Sequence, residues 1–361
     1  MTLPAPISDS LAEDRPIHSD EQNPTGPRRW WIYQKERFPL LAHSPLVLAF
    51  STSAVCFSWM LRANGAAVVH RTFDGDGSRV VGATADGSHA IAIGPSPAAF
   101  VVAFLSCLVF FLQLRIADEF KDFDEDSRYR PYRPVPRGLV TLRELGVVFA
   151  VGSVLQLLLA LWLEWRLLVL LLITWTYLAG MSKEFFVAHW LRGRHLLYMV
   201  SHMAIMPLID LYATSTEWMS GAGHPPPGLF WFLLASLFNG MAIEIGRKIR
   251  RPEDEEEGVA TYSVVWGHER AVGAWIAVLA LTFVCARFAA TKIAFSTPVT
   301  IALGTVLSVA LVIGALYLSE RDGRPRVGGK AFEATSALWT LVLYLGLGLI
   351  PYFTRYATHV S

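Results

Sequence analysis

Apolar residues run along this chain in long blocks, broken by short polar segments, and show no two-residue alternation. A helix needs about 20 mostly apolar residues to cross the hydrocarbon of a bilayer. Nine stretches meet or approach that length: 44–62, 97–117, 144–163, 166–181, 196–213, 228–246, 270–289, 298–318 and 335–354. Only Glu164 and Trp165 separate the third from the fourth, which predicts a tight helical hairpin. The pattern predicts an all-α integral membrane protein with nine transmembrane helices in a single bundle. Residues 1–36 are rich in Pro, Asp, Glu and Ser and lack the apolar core of a signal peptide, so a disordered cytoplasmic tail is expected there. Residues 37–361 then form one membrane domain. Within it, 63–96 is a long extracytoplasmic loop rich in Gly, Asp and Ser, with turn signals for a small hairpin.

Charge orients the bundle. Lysine and arginine gather in alternate connections, which mark the cytoplasmic side. Arg28, Arg29, Lys35 and Arg37 precede the first span. Lys121, Arg128, Arg130, Arg133, Arg137 and Arg143 follow the second. Lys183, Arg192 and Arg194 follow the fourth, Arg247, Lys248, Arg250 and Arg251 the sixth, and Arg321, Arg324, Arg326 and Lys330 the eighth. Segment 214–227 has none. With nine spans this puts the amino terminus in the cytoplasm, the carboxyl terminus outside, and the protein in a cell inner membrane. Composition agrees: 53% of residues are hydrophobic and the mean hydropathy is +0.40. A net charge of +1 gives no reason to expect a nucleic-acid partner. Cys56, Cys107 and Cys285 lie in apolar stretches without metal-ligand spacing and read as core thiols.

The candidate chemistry sits where the second span ends, in RIADEFKDFDEDSRYRPYRPVPRG. On a continuous helix Glu119, Asp122 and Asp126 would share one face, with Asp118 one turn before Asp122. Like charges so placed repel, and a divalent cation would relieve the repulsion. Hard oxygen ligands of this kind suit Mg2+, which takes one or two carboxylates plus substrate phosphates. The prolines that follow end regular helix and make a stiff loop, from which Arg130 and Arg133 can reach back over the acids. After the sixth span Glu244, Arg247, Lys248 and Arg251 fall at i, i+3, i+4 and i+7, a candidate cationic clamp for diphosphate. Glu244 or Asp254 would give a second set of carboxylates. A lipid-headgroup anchor is the alternative reading of this basic face.

The first segment resembles the signature of the UbiA-type intramembrane prenyltransferase superfamily, Asn-Asp-x-x-Asp-x-x-x-Asp followed by Pro-x-Arg-Pro-x-x-x-Gly. Glu119, Asp122 and Asp126 stand at its acidic positions, Asp118 at its asparagine, and Pro131, Arg133, Pro134, Pro136 and Gly138 in its tail. A second signature is matched more thinly by Gly258, Thr261, Tyr262, Ser263 and Gly267. Asp254 stands at its last aspartate, and Arg250 replaces the earlier one. Lys183 resembles a family position for a basic diphosphate contact. The resemblance implies Mg2+-dependent transfer of a polyprenyl group from a prenyl diphosphate donor to an unidentified acceptor inside the membrane, with Asp118, Glu119, Asp122 and Asp126 as the catalytic, metal-binding acids. A membrane terpene cyclase of the same superfamily is an alternative. A transporter or lipid-binding protein is another, although no paired broken spans favour it. Acceptor, prenyl chain length and oligomeric state are not written in the sequence.

Overall fold

The computed structural model describes residues 26–71, 94–221, 223–256, 260–321, 324–325 and 327–355. A short helix α1, Pro27–Arg37, precedes α2, Leu40–Arg71, and α3, Pro97–Lys121. Then come α4 (Phe123–Tyr129), α5 (Leu142–Leu163), α6 (Leu167–Ser182), α7 (Ala188–Arg192), α8 (His195–Met203) and α9 (Ile205–Trp218). The chain continues with α10 (Leu229–Arg247), α11 (Tyr262–Trp266), α12 (His268–Lys292), α13 (Ser296–Leu318), α14 (Gly329–Leu347) and α15 (Leu349–Arg355). The strands β1, Glu320–Arg321, and β2, Arg324–Pro325, pair antiparallel as a minimal hairpin.

Among the described residues, eight helical segments are long and apolar enough to cross a membrane, α8 with α9 and α14 with α15 counting as one each. The expected segment 166–181 appears as α6, an apolar helix of 16 residues. At 1.5 Å per residue it is about 24 Å long, short of a full hydrocarbon layer. Helices α5 and α6 form the predicted hairpin, with Glu164 as the C-cap of α5. The surface is that of a lipid-solvated protein. Val147, Val151, Val154 and Leu158 of α5 form an exposed stripe at helical spacing. The interior holds the large aromatics Trp275, Trp339, Tyr212, Phe57 and Phe110.

Polar side chains inside the bundle stitch helix to helix, the bonding expected where water is excluded. Gln113 donates to Ser153 at 2.9 Å, the Trp175 ring nitrogen to Gln156 at 3.0 Å, and Tyr344 to Asp210 at 2.7 Å. Thr340 donates to Asn239 Oδ1 at 3.0 Å, which gives that intramembrane asparagine a packing role.

Three expectations change. Residues 27–36, expected as disordered tail, are part of α1, because Trp30, Tyr33 and Arg37 share a face that docks on α3 and α5; residues 1–25 lie outside the described set. The outer loop begins later than expected, since α2 continues to Arg71, and the hairpin signals of 72–93 lie outside the described residues. The second span does not run helically through the acidic motif: α3 ends at Lys121, Asp122 takes φ −95° and ψ 6°, and α4 restarts at Phe123.

Close approach of helices fixes one test. A Cβ on Gly348 would lie 2.3 Å from Ser53 Cα and 2.4 Å from its carbonyl oxygen, both backbone atoms of α2. Gly348→Ala is expected to cost roughly 1–3 kcal/mol through overpacking, read as a lowered thermal midpoint in detergent. An unchanged midpoint would mean that α14 and α15 do not pack on α2 as described.

Candidate active site at the ends of the third and tenth helices

The break at Asp122 is local in origin. Asp126 donates its backbone N–H to Asp122 O, and Arg130 donates to Asp126 O, which turns the chain through α4 into the proline segment. There Arg137 N–H donates to Arg133 O and Gly138 N–H to Val135 O, with Gly138 at φ 78°, a conformation glycine adopts without strain. Val135, Leu139 and Val140 are buried against Tyr33, Ile116 and Leu145, so the loop is clamped under α1 and α3. Thr141 then caps α5 in a reciprocal box with Glu144.

The four acids of the motif divide into two pairs. Glu119 and Asp126 are each only 2% exposed. Arg37 Nε meets Glu119 Oε1 at 2.5 Å and Arg115 Nη2 meets it at 3.3 Å. Arg133 Nη1 meets Asp126 Oδ2 at 2.5 Å, Arg130 Nη1 meets Oδ1 at 3.1 Å, and Arg37 Nη2 lies 3.9 Å from Oδ2. Asp118 and Asp122 differ. The Asp118 side chain is 53% exposed, with only a 3.7 Å contact to Arg115. Asp122 is half-buried and forms no side-chain hydrogen bond or ion pair among the described residues. Partial burial, with a smaller push from Asp126, raises its carboxyl above the ordinary range against the pull of Lys121, Arg115 and Arg133.

The end of α10 faces this pair, with Arg247 in electrostatic reach of Asp118. Glu244 Oε2 accepts from Arg247 at 2.5 Å and its Oε1 lies 2.8 Å from Lys248 Nζ. Helix α10 ends at Arg247, so Arg251 leaves the predicted face. It donates to Val327 O at 3.3 Å, tying down the segment before α14. Asp254 is exposed in a 3-10 turn, while its neighbour Glu255 accepts from Thr261 and Ser263 hydroxyls at 2.8 and 2.9 Å. Arg250 O accepts from Tyr317 at 2.5 Å, and Arg250 ion-pairs Glu256 at 3.1 Å. Gly258 lies outside the described residues. Lys183 caps α6, exposed and without an ion pair among the described residues.

A third group closes the site. Lys121 donates to the Tyr198 hydroxyl, pairs with buried Glu184 at 3.3 Å and lies 3.5 Å from His202 Nε2. His202 stacks on Tyr198 with ring centres 4.0 Å apart, and its Nδ1 donates to Tyr198 O at 2.8 Å, leaving Nε2 as the lone-pair nitrogen. Glu184, Phe185 and Phe186 all have positive φ, 48°, 53° and 61°. The sequence reading missed Arg37, Arg115, Glu184, Tyr198 and Glu255. Arg115 sits one helical turn before Glu119 and was open to detection; Arg37 is 82 residues away and was not.

No set of three or more His, Cys, Asp or Glu side chains among the described residues forms a ready-made metal cage. Two carboxylates four residues apart, Asp118 with one 3.7 Å ion contact and Asp122 with none among the described residues, fit instead an ion that completes its shell with substrate oxygens and water, the habit of Mg2+.

Comparison with known proteins bears on the family and the fold. The model of the UbiA prenyltransferase family matches residues 83–341. A UbiA homologue from Aeropyrum pernix K1 superposes with a TM-score of 0.57 at 14% identity, covering 84% of this chain and 96% of its own. A digeranylgeranylglyceryl phosphate synthase superposes at 0.55 and 14% identity, covering 89% and 99%. A UbiA homologue from Archaeoglobus fulgidus, solved with GPP and Mg2+, superposes at 0.50 and 15% identity, covering 87% and 99%. Among curated proteins no sequence matches. At such identities the superpositions speak for the fold; the family model, spanning well over half of the sequence, establishes that this integral membrane chain belongs to the UbiA prenyltransferase family.

Proposed function

We propose that the protein transfers a polyprenyl group from a prenyl diphosphate to an acceptor nucleophile within the membrane, using Mg2+. The observation that carries this reading is the division of the acids: arginines occupy Glu119 and Asp126, while Asp118 keeps only a 3.7 Å contact to Arg115, with Arg247 in electrostatic reach, and Asp122 has no ion pair among the described residues. Asp118 and Asp122 would hold the ion, which when bound neutralises charge on the leaving diphosphate as a Lewis acid. The GPP and Mg2+ of the Archaeoglobus fulgidus homologue belong to the same ligand classes.

The chain's own residues supply the rest. Arg247 and Lys248, oriented by Glu244, meet the diphosphate oxygens, and Lys183 reaches them from the end of α6. Arg130 and Arg133 act through Asp126, holding the loop that shapes the floor. Asp254 is a carboxylate available at the rim; Arg251, committed to Val327, is not part of the clamp. In the step itself the allylic C–O bond breaks and its electron pair leaves with diphosphate. The carbon then bonds to the acceptor, which gives up a proton. Apolar helices hold the prenyl tail, at about 0.8 kcal/mol for each CH₂ kept from water. Residues 37–361 act as one membrane unit, with α6 as the short ninth crossing. The amino terminus and the site face the cytoplasm of the inner membrane, as the placement of basic residues supports.

The two acid pairs should separate in experiment. Asp118→Ala and Asp122→Ala are expected to abolish turnover with expression and thermal midpoint near wild type. Glu119→Ala and Asp126→Ala would take the nearest carboxylate from partly buried guanidinium groups and cost up to roughly 3–5 kcal/mol, visible as a lowered midpoint. Near-normal prenyl transfer by Asp122→Ala would reject the metal assignment.

Acidity gives a second check. Because the Asp122 carboxyl lies above the ordinary range, protons compete with the ion at higher pH than they would for an exposed aspartate. The Mg2+ concentration for half-maximal activity should therefore climb as pH falls toward that range. Asp122→Asn, if any turnover remains, should lose that dependence. A pH-independent Mg2+ requirement in the wild-type enzyme would exclude Asp122 as a ligand.

A further inference from the structure

Helix α1 has three faces. Trp30, Tyr33 and Arg37, at i, i+3 and i+7, turn toward α3, where Tyr33 is buried and Arg37 pairs with Glu119. Arg29 and Glu36, on the next arc, pair with Glu144 and Arg137. The remaining arc begins with Pro27, Trp31 and Gln34, which line a groove of about 600 Å³. It ends with Arg28 and Lys35, both exposed and without ion-pair partners among the described residues. The far wall of the groove is Leu112, Ile116, Leu145 and Val148, from α3 and α5.

We propose that this groove is a binding site for an anionic phospholipid of the surrounding bilayer, one acyl chain lying along α3 and α5 and the headgroup on Arg28 and Lys35. The walls are almost wholly apolar and stand at the end of two membrane spans, where acyl chains are the available solvent. Two cations without an ion pair among the described residues border the groove on the helical wheel, at the depth where anionic headgroups attract Lys and Arg. Trp30 and Trp31 mark the same interfacial level. Residues 27–37 precede the segment matched by the family model, so the α1 wall and both cations lie outside that match, while the α3 and α5 wall lies within it.

The neighbouring face of the same helix, whose Trp30 and Tyr33 also line the groove, enters the acidic motif through Arg37. A lipid that steadies α1 therefore steadies the guanidinium between Glu119 and Asp126, and anionic lipid raises turnover. This consequence rests on the prenyl-transfer reading; the lipid site does not.

The test uses the full chain in nanodiscs of phosphatidylcholine, with or without phosphatidylglycerol. Backbone amides of 27–37 are expected to exchange hydrogen several-fold more slowly when phosphatidylglycerol is present. The double variant Arg28→Gln/Lys35→Gln should abolish the difference, and Val148→Trp, which fills the groove, should do the same. Prenyl transfer at fixed Mg2+ should rise several-fold with phosphatidylglycerol in the wild type and not in the double variant. Equal amide exchange in both lipids, or a lipid effect that survives the double variant, would overturn the proposal. Slowing by a prenyl diphosphate in pure phosphatidylcholine, with no effect of phosphatidylglycerol, would assign the groove to the donor's tail and overturn it also. Lipid-dependent slowing with no prenyl transfer in any lipid would support the site and count against the enzymatic reading alone.

Discussion

Two carboxylates buried where a membrane helix meets water cannot stay charged without partners, and much of the site's architecture follows from how Glu119 and Asp126 find theirs. Ionised groups in a poorly solvated place are tolerated only when paired and hydrogen-bonded. Glu119 draws Arg115 from one turn back on its own helix and Arg37 from α1; Asp126 draws Arg130, Arg133 and again Arg37. Arg37 is shared between the two acids, so α1 must lie against α3 for the charges to balance. Arg130 and Arg133 close the proline segment back over the motif. A charge requirement at two side chains thus fixes the position of an amino-terminal helix and of a loop.

That same requirement explains why the other two acids are available. The nearby guanidinium groups are largely spent on Glu119 and Asp126, leaving Asp118 with one long contact and Asp122 with none. Had the helix continued regularly past Lys121, Asp122 and Asp126 would have shared a face and competed for the same arginines. The break at Asp122 separates them. Opposite, Glu244 neutralises half of a cationic pair that would otherwise repel across the end of α10. The resulting surface has lightly paired carboxylates on one side and restrained cations on the other, the arrangement on which the proposed metal-diphosphate site rests.

Sequence reasoning reached the bundle and the motif because both are written locally. Nine apolar stretches correspond to eight long helical segments and the shorter α6, and the hairpin at Glu164 follows from two residues being too few for anything else. The identity of the motif acids was legible from spacing, and the family resemblance drawn from them is matched by the family model over residues 83–341. Their division into paired and free was not legible. It depends on Arg37, the last residue of a helix whose preceding residues 27–36 were expected as disordered tail, and a low-hydropathy stretch folds when a neighbouring element offers it buried acids and an apolar wall. Arg251 shows the converse failure: its helical spacing from Glu244 was right in sequence, but α10 stops four residues earlier and Val327 takes the guanidinium.

The turn after α6 bears on the same surface from a third direction. Three successive non-glycine residues, Glu184 to Phe186, hold left-handed backbone conformations. Each such residue costs on the order of 1–3 kcal/mol and persists only where surroundings over-determine it. The surroundings here are specific: Glu184 is buried on Lys121, and the Phe185 ring packs edge-on against Tyr177 and His202. Lys121 is the last residue of α3, adjacent to Asp122. Lys121 is held there by the Tyr198 hydroxyl as well as by Glu184. The turn at 184–186 thus engages Lys121 with Glu184 and leaves it to act on Asp122 through space, just as Arg115 lies closer to Glu119 than to Asp118. Both arrangements leave Asp118 with a single 3.7 Å ion contact and Asp122 with none among the described residues, so the two acids meet nearby cations mainly through space.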